Sequence, residues 1–262
     1  MQFSEKLRQD WAPILFFGTV ITVKTYYLVV YLNSSEDLWG LLGDIGHIGD
    51  YGRGAAFYVT GKLTSILYYA TALAFDTLIF FSFVIRVKAR ERPRGFLENV
   101  FPLITVFVPM IGFTLLIIPQ VRQFVPGYSE TTLNLLREIS PIFPFYMNMA
   151  GLLAGLLGAA FSIWALGYLR HSFGLRAAVR ELVTTGPYRW ARHPLYAGEI
   201  VHILGIAILS GKPAGMYLFV VAVALQVVRA KIEERKFMNT LPEYRAYRDS
   251  TGFLWPSLRK PR

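Results

Sequence analysis

The sequence predicts an all-α, polytopic membrane helix bundle with about six transmembrane helices, a short C-terminal helical hairpin and a cytosolic tail. Three observations lead to this fold class. Hydrophobic residues make up 54% of the chain and charged residues only 17%, whereas soluble domains carry about 25% charge. Long apolar runs recur along the chain, and the basic residues cluster in the short stretches between them, as in membrane proteins.

Six apolar runs are candidates for membrane spans because each approaches the length that crosses a bilayer. They cover roughly residues 12–32, 63–85, 100–118, 142–168, 195–210 and 214–228. The last two are short and are separated only by Gly211-Lys212-Pro213. This spacing predicts a tight antiparallel hairpin, with a re-entrant pair as the alternative.

The charges of the loops predict the orientation. Basic residues dominate 86–94, 169–193 and the tail from 229, whereas 33–54 is acidic and 119–140 is balanced. Six spans with both termini in the cytoplasm place every basic loop inside. We therefore predict an integral membrane protein with an N-terminal three-span region, 1–140, and a core of 141–262 that ends in the cytosolic tail.

Composition also argues against other classes of site. The chain has no cysteine, which excludes disulfides, thiolate ligands and a cysteine nucleophile. The four histidines show no paired zinc-type spacing, so we expect no metal. The net charge of +10 follows membrane topology, so we expect no nucleic-acid partner.

Two ionisable residues interrupt the apolar runs. Lys24 lies in the first run and Asp76 in the second, at similar depths from the cytoplasmic side. A charge within the bilayer is costly unless it is paired. We therefore predict a Lys24–Asp76 pair that holds the two helices together, with a proton path as the alternative.

Small residues form a stripe in the fourth run, beginning with Gly151-x-x-x-Gly155. Such a stripe allows the backbone of another helix to approach closely. Internal packing and a dimer interface both fit this pattern, and internal packing is the interpretation we favour.

The stretch LVTTGPYRWARHPLYAGE, residues 182–199, precedes the fifth run. Gly186-Pro187 indicates a turn, and Pro194 suits the first position of a helix. A residue before proline is biased towards extended backbone, so we expect His193 to be extended. The N-terminus of this helix would be surrounded by Arg189, Arg192 and His193, which favours binding of an anion. A basic cytoplasmic loop with interfacial aromatic residues is the simpler alternative.

A second polar constellation, residues 226–248, follows the sixth run. Arg229 and Glu233 are four residues apart, so an ordinary ion pair along a helix explains them. Glu234 would point elsewhere on a regular helix. Tyr244 and Tyr247 share one face of a short segment after Pro242, which predicts an amphipathic helix on the membrane surface or over a pocket.

Together, G-P-Y-R-x-x-R-H-P-x-Y-x-G, a short hairpin, R-x-x-x-E-E and E-Y-x-x-Y-R resemble the isoprenylcysteine carboxyl methyltransferase family. The wider group of integral membrane methyltransferases includes phospholipid N-methyltransferases. The resemblance covers roughly residues 150–256 and leaves the first three spans unmatched. One departure is a shorter stretch between Glu234 and Tyr244, with Leu241-Pro242 in place of the usual Phe-Gly.

The resemblance implies S-adenosylmethionine as cofactor and a site formed by three groups of residues. Arg229 and Glu234 take the catalytic positions, with Glu233 as the alternative glutamate, one position away. Glu199 and His202 lie one turn into the fifth span, where they face the access route of the substrate or make interhelical hydrogen bonds. The cofactor-binding positions are Leu182, Val183, Gly186, Tyr188, Arg192, His193, Pro194, Tyr196, Gly198, Tyr244 and Tyr247.

The implied reaction is methyl transfer to a lipid-soluble carboxylate or amine at the cytosolic face. Its partners would be a lipophilic substrate from the bilayer and membrane lipids. Two alternatives remain: a nicotinamide-dependent reductase with a related core, and a non-enzymatic membrane protein that binds a lipid headgroup or a partner. The methyl acceptor and the oligomeric state are left open by the sequence.

Overall fold

A computed structural model describes residues 3–34, 66, 70–71, 73–85, 87, 89–117 and 145–257. Within these ranges the regular structure is helical, with isolated β-bridges and no named strand, which confirms the all-α prediction there. The chain divides into two compact units, Met1–Ile85 and Arg86–Arg262.

The helices follow the predicted apolar runs. The α-helices are α1 Phe3–Ser34, α2 Leu73–Ile85, α3 Gly95–Asn99, α4 Phe101–Ile117, α5 Phe145–Leu169, α6 Pro194–Leu209, α7 Pro213–Thr240 and α8 Tyr244–Ser250. Two 3₁₀ turns cover Arg170–Ser172 and Gly186–Arg189.

Two stretches of the described chain are long and apolar enough to cross a membrane, Met149–Leu169 within α5 and Pro213–Thr240. Shorter apolar helices cover Ile14–Tyr26, Leu73–Ile85, Phe101–Phe113 and Pro194–Leu209. The count of six spans and the cytoplasmic placement of the termini and tail stay predictions. The loops 33–54 and 119–140, on which that orientation partly depends, fall almost wholly outside the described residues.

In the first unit, the predicted pair between α1 and α2 is confirmed. Lys24 Nζ donates to Asp76 Oδ2 at 2.5 Å. About two helical turns away along each helix, Phe17 on α1 and Phe83 on α2 stack with ring centroids 5.9 Å apart, and both are buried. The charged pair therefore joins two helices that are also held by aromatic packing.

In the second unit, α4 packs against α7. A methyl group at Gly112 would lie 2.9 Å from Leu218 Cδ2. The compact unit that contains the C-terminal core begins at Arg86 and includes α4, and the domain boundary at 140/141 stays a prediction.

The glycine stripe of α5 packs against α6. A methyl group at Gly158 would lie 2.3 Å from the backbone nitrogen of His202. One at Gly205 would lie 2.3 Å from the backbone nitrogen of Gly155. Glycine is needed on both helices for this approach, which confirms the internal-packing interpretation.

The predicted hairpin is formed by α6 and α7, which pack on each other. Gly211 turns the chain with a φ of 61°, in the left-handed region that glycine tolerates. The second helix extends beyond the apolar run 214–228. It continues to Thr240, because the polar residues after 228 find partners on other elements, as described next.

Candidate active site

A pocket lies beside the C-terminal half of α7 and is closed by segments from four parts of the second unit. They are the loop after α5, the start of α6, the end of α7 and α8. The enclosed volume is about 100 Å³, below the ~300–1,000 Å³ typical of small-molecule sites. A ligand as large as S-adenosylmethionine would therefore also occupy the mouth of the pocket.

Most of the cofactor-binding positions inferred from the sequence line this pocket. They are Leu182, Val183, Tyr188, Arg192, His193, Tyr196, Tyr244 and Tyr247. The structure thus brings together residues from the loop, from α6 and from α8 that are up to 65 positions apart in the sequence (247 − 182).

Gly186, Pro194 and Gly198 are absent from the pocket lining and act through the backbone instead. Gly186 has a φ of 58°, and a methyl group there would lie 2.5 Å from the Tyr168 ring. Pro194 is the first residue of α6, as predicted. A methyl group at Gly198 would lie 2.4 Å from Ser162 Oγ, so this glycine lets α6 approach α5.

His193 caps the start of α6 with φ −126° and ψ 54°. The φ of His193 is in the extended range, but its ψ is not, so the expectation that His193 is extended is wrong. Its N–H donates to the Phe253 carbonyl at 3.0 Å, and its ring stacks on Tyr196 with centroids 5.4 Å apart. These contacts hold the residue against both the tail and the first turn of α6.

The C-terminal tail is fastened to the loop before α6. Arg192 donates through its backbone N–H to Gly252 at 2.9 Å, and through Nη1 to the Thr251 carbonyl at 2.5 Å. The Tyr247 hydroxyl donates to the Tyr188 carbonyl at 2.6 Å. Sequence reasoning missed residues 251–253, because they contact the loop mainly through backbone carbonyl groups, which leave no motif in the sequence.

Arg229 is buried at the back of the pocket, while Glu233 lines it. Arg229 Nε lies 3.2 Å from Glu233 Oε1, and Nη2 donates to the Leu175 carbonyl at 3.2 Å. The guanidinium lies over the Tyr196 ring, 5.0 Å from its centroid. The Tyr196 hydroxyl also donates to Glu233 Oε1, at 2.6 Å. The ordinary helical ion pair considered from the sequence is thus formed.

Glu234 points away from this group. Its carboxylate accepts a hydrogen bond from Arg192 Nε, and His193 Nε2 lies 3.4 Å from Glu234 Oε1. Arg229 and Glu234, the positions inferred as catalytic, therefore have different partners. Neither belongs to the pocket lining, whereas Glu233 does.

Glu199 and His202, inferred for the access route, make contacts between helices. Gln226 Nε2 on α7 donates to Glu199 Oε2. His202 Nδ1 lies 2.8 Å from the Gly155 carbonyl oxygen on α5. Neither residue lines the pocket, so the geometry fits the alternative of interhelical hydrogen bonding.

Burial controls the ionisation of the pocket tyrosines. Burial raises the pKa of Tyr188 well above its ordinary value, and it also raises the pKa values of Tyr244 and Tyr247. All three therefore stay neutral hydrogen-bond donors at physiological pH. The Tyr188 hydroxyl is buried and has no hydrogen-bond partner within the described part of the chain.

Two buried cations in the pocket wall were missed by sequence reasoning. Arg180 Nε donates to the Val87 carbonyl at 3.1 Å, and burial lowers the pKa of its guanidinium. Lys236 Nζ donates to the Arg92 carbonyl at 2.7 Å and to the Glu98 carboxylate. Because their partners lie outside the motif, no local signal identified them.

Within the described ranges, no group of three or more His, Asp or Glu side chains is placed to hold a metal ion. The expectation that the protein carries no metal stays a prediction.

Comparison with known proteins identifies the segment that builds this pocket. Residues 146–244 match the phospholipid methyltransferase family. This family belongs to the isoprenylcysteine carboxyl methyltransferase-like group, so the resemblance inferred from the sequence is confirmed. The family is membrane-bound.

Two curated relatives are similar over part of their length. The nickel-cobalt-cadmium resistance protein NccN of Alcaligenes xylosoxydans xylosoxydans is 30% identical over 120 residues, 43% of this chain and 53% of the relative. The cobalt-zinc-cadmium resistance protein CzcN of Cupriavidus metallidurans is 35% identical over 80 residues, 29% of this chain and 36% of the relative. The chain thus spans about half or less of the relatives that it matches.

Proposed function

We propose that the protein transfers a methyl group from S-adenosylmethionine to a lipid-soluble carboxylate or amine at the cytosolic face of the membrane. The observation that carries the proposal is the pocket itself. It is built mainly from the segment that matches the phospholipid methyltransferase family, whose members normally use this cofactor.

The pocket residues fit such a cofactor chemically. The Tyr188 hydroxyl is a buried donor without a partner in the described chain, and a polar ligand would satisfy it. Aromatic rings of Tyr196, Phe237 and Tyr244 line the pocket and suit a planar base. The first N–H groups of α6 have no partner within the helix and favour a carboxylate.

The bound cofactor would supply an activated methyl group on a sulfonium. The protein would then have to position the acceptor and exclude water. Glu233 lines the pocket from α7, and its Oε1 is fixed by Arg229 and the Tyr196 hydroxyl. We assign Glu233 to accept a hydrogen bond from a polar group of the cofactor or of the methyl acceptor. Arg229 would hold the Glu233 carboxylate in place.

Glu234 takes a positioning role in this proposal. It fixes Arg192, which in turn holds the Thr251 carbonyl. The tail that carries Tyr244 and Tyr247 into the pocket is thereby fastened to the loop before α6.

The test is calorimetric binding of S-adenosylhomocysteine to the detergent-solubilised protein. We expect micromolar binding, about −8 kcal/mol. Tyr188→Phe removes only the hydroxyl, which has no partner among the described residues. It should weaken binding up to about tenfold, the value of one hydrogen bond of about 0.5–1.5 kcal/mol.

The matched control is Tyr217→Phe, because Tyr217 is 74% exposed and lies at the other end of α7. It should bind as the wild type does. Absence of binding to the folded, lipid-supplemented wild-type protein would contradict the proposed cofactor. Equal affinities for wild type and Tyr188→Phe would remove Tyr188 from the binding site.

A further inference from the structure

Residues 89–99 lie outside the segment that matches the methyltransferase family. They nevertheless pack directly behind the pocket wall formed by residues 176–182. The Arg90 N–H donates to the Val179 carbonyl at 2.8 Å, and the Val179 N–H donates to the Glu91 carbonyl at 3.1 Å. The Ala177 N–H donates to the Glu98 carbonyl at 3.0 Å. The backbone of the wall is thus bonded to the 89–99 segment at several points.

The same segment is fastened to the end of α7 by side chains. Lys236 Nζ donates to the Arg92 carbonyl at 2.7 Å and pairs with the Glu98 carboxylate. The Thr240 hydroxyl donates to the Glu91 carboxylate one turn further on. Lys236 therefore connects α7 to the segment that supports the wall.

Lys236 has two features that set it apart from the surface lysines. Its side chain is only 5% exposed, and it lines the pocket whose wall it supports. An ammonium this deeply buried is costly unless it is paired and hydrogen-bonded. Both needs are met by the 89–99 segment, so the lysine and the segment depend on each other.

We propose that Lys236 is a positioning residue which, through Glu98 and the Arg92 carbonyl, locks the 89–99 segment against residues 176–182 and so shapes the cofactor pocket. The site is then completed by a part of the chain outside the family match. Only the consequence for cofactor binding rests on the function proposed above, since the locking itself is a property of the fold.

The test combines amide hydrogen exchange with binding of S-adenosylhomocysteine. Lys236→Met keeps the apolar stem and removes the ammonium, and Glu98→Gln removes the charge from the other partner. In both variants, the amides of Ala177 and Val179 should exchange about tenfold faster, because their acceptors belong to the loosened segment. Exchange at the α5–α6 contact should not change.

A charge swap supplies the rescue. In Lys236→Glu with Glu98→Lys the ion pair is restored with reversed polarity, but the Arg92 carbonyl loses its donor. Exchange at Ala177 and Val179 should therefore be slower than in the single variants but faster than in the wild type. The matched control is Lys231→Met, on the same helix but exposed, which should exchange as the wild type does.

The outcomes separate the two proposals. Wild-type exchange in both Lys236→Met and Glu98→Gln would overturn the locking role, and Glu98→Gln decides alone if the lysine variant does not fold. Faster exchange with unchanged ligand affinity would overturn the positioning role in the pocket. If the wild-type protein binds no S-adenosylhomocysteine, the proposed function is contradicted. The locking role of Lys236 is then judged from the hydrogen-exchange rates alone. About tenfold weaker binding in the single variants, with partial recovery in the swap, supports both proposals.

Discussion

Replacement of Arg229 by methionine tests how the Glu233 carboxylate is held in the pocket. The Arg229 side chain is 3% exposed and that of Glu233 is 17% exposed. Removal of one partner of a buried ion pair costs about 3–5 kcal/mol, because the other charge is left uncompensated. The Tyr196 hydroxyl still donates to Glu233, so we expect a loss at the lower end, about 3 kcal/mol of the free energy of unfolding.

The double variant Arg229→Met with Glu233→Gln separates the charge from the packing. It leaves no uncompensated charge at position 233, but the Leu175 carbonyl still loses the donor it has in the wild type. One unsatisfied buried acceptor costs about 1–3 kcal/mol. We therefore expect the double variant to be more stable than Arg229→Met alone, although less stable than the wild type.

Equilibrium unfolding in mixed detergent micelles, followed by near-ultraviolet circular dichroism, measures these differences. Lys231→Met is the control for loss of a cation from the same helix. The reasoning is refuted if Arg229→Met unfolds within about 1 kcal/mol of the wild type, or if the double variant is no more stable than the single one. A stability loss of the expected size also means that inactivity of an Arg229 variant cannot by itself assign this residue to the chemistry.

Two further predictions compare neighbouring positions. Gly158→Ala should destabilise the α5–α6 contact by about 1–3 kcal/mol through overpacking. Gly167→Ala should be neutral or stabilising by up to about 1 kcal/mol, because a methyl group there meets nothing within 4 Å. Thermal unfolding of both variants measures the difference, and equal shifts in Tm would contradict the prediction. Glu233→Gln should lower kcat, because Glu233 faces the pocket, whereas Glu234→Gln should chiefly weaken cofactor binding, because it releases Arg192. Steady-state kinetics together with calorimetry distinguish the two effects. If Glu234→Gln lowers kcat and Glu233→Gln weakens cofactor binding instead, Glu234 is the catalytic glutamate, as the family resemblance implied.

Features with a local signal could be predicted from the sequence. Pro194 and Gly211 mark the start of α6 and the turn of the hairpin, because a missing N–H and a left-handed φ are properties of single residues. The Lys24–Asp76 pair was predictable because a charge in an apolar run needs a partner at a similar depth. The pocket-lining loop residues were identified through a family motif rather than through physics alone.

Features that depend on distant residues could not be predicted. The 89–99 segment reads as a basic loop that fixes membrane orientation, and nothing in its pattern indicates that it bonds to Val179, about 90 positions further along the chain. The burial of Lys236 could not be predicted either, because lysine side chains are almost always exposed. Only its pairing with Glu98, which lies far away in the sequence, allows it to be buried.

Three charged residues near the C-terminal end of α7, Glu233, Glu234 and Lys236, have three different partners. Successive residues of an α-helix point about 100° apart, so Glu233 and Lys236, three positions apart, share the face that lines the pocket, whereas Glu234 points away from it. Glu233 meets Tyr196 on α6, Glu234 meets Arg192 in the preceding loop, and Lys236 meets Glu98 on the 89–99 segment. A single unbroken helix therefore sets the relative positions of all three walls. Insertion of one residue between 228 and 229 would rotate every one of these side chains by about 100° at once, which is why the register of α7, more than any single contact, holds the site together.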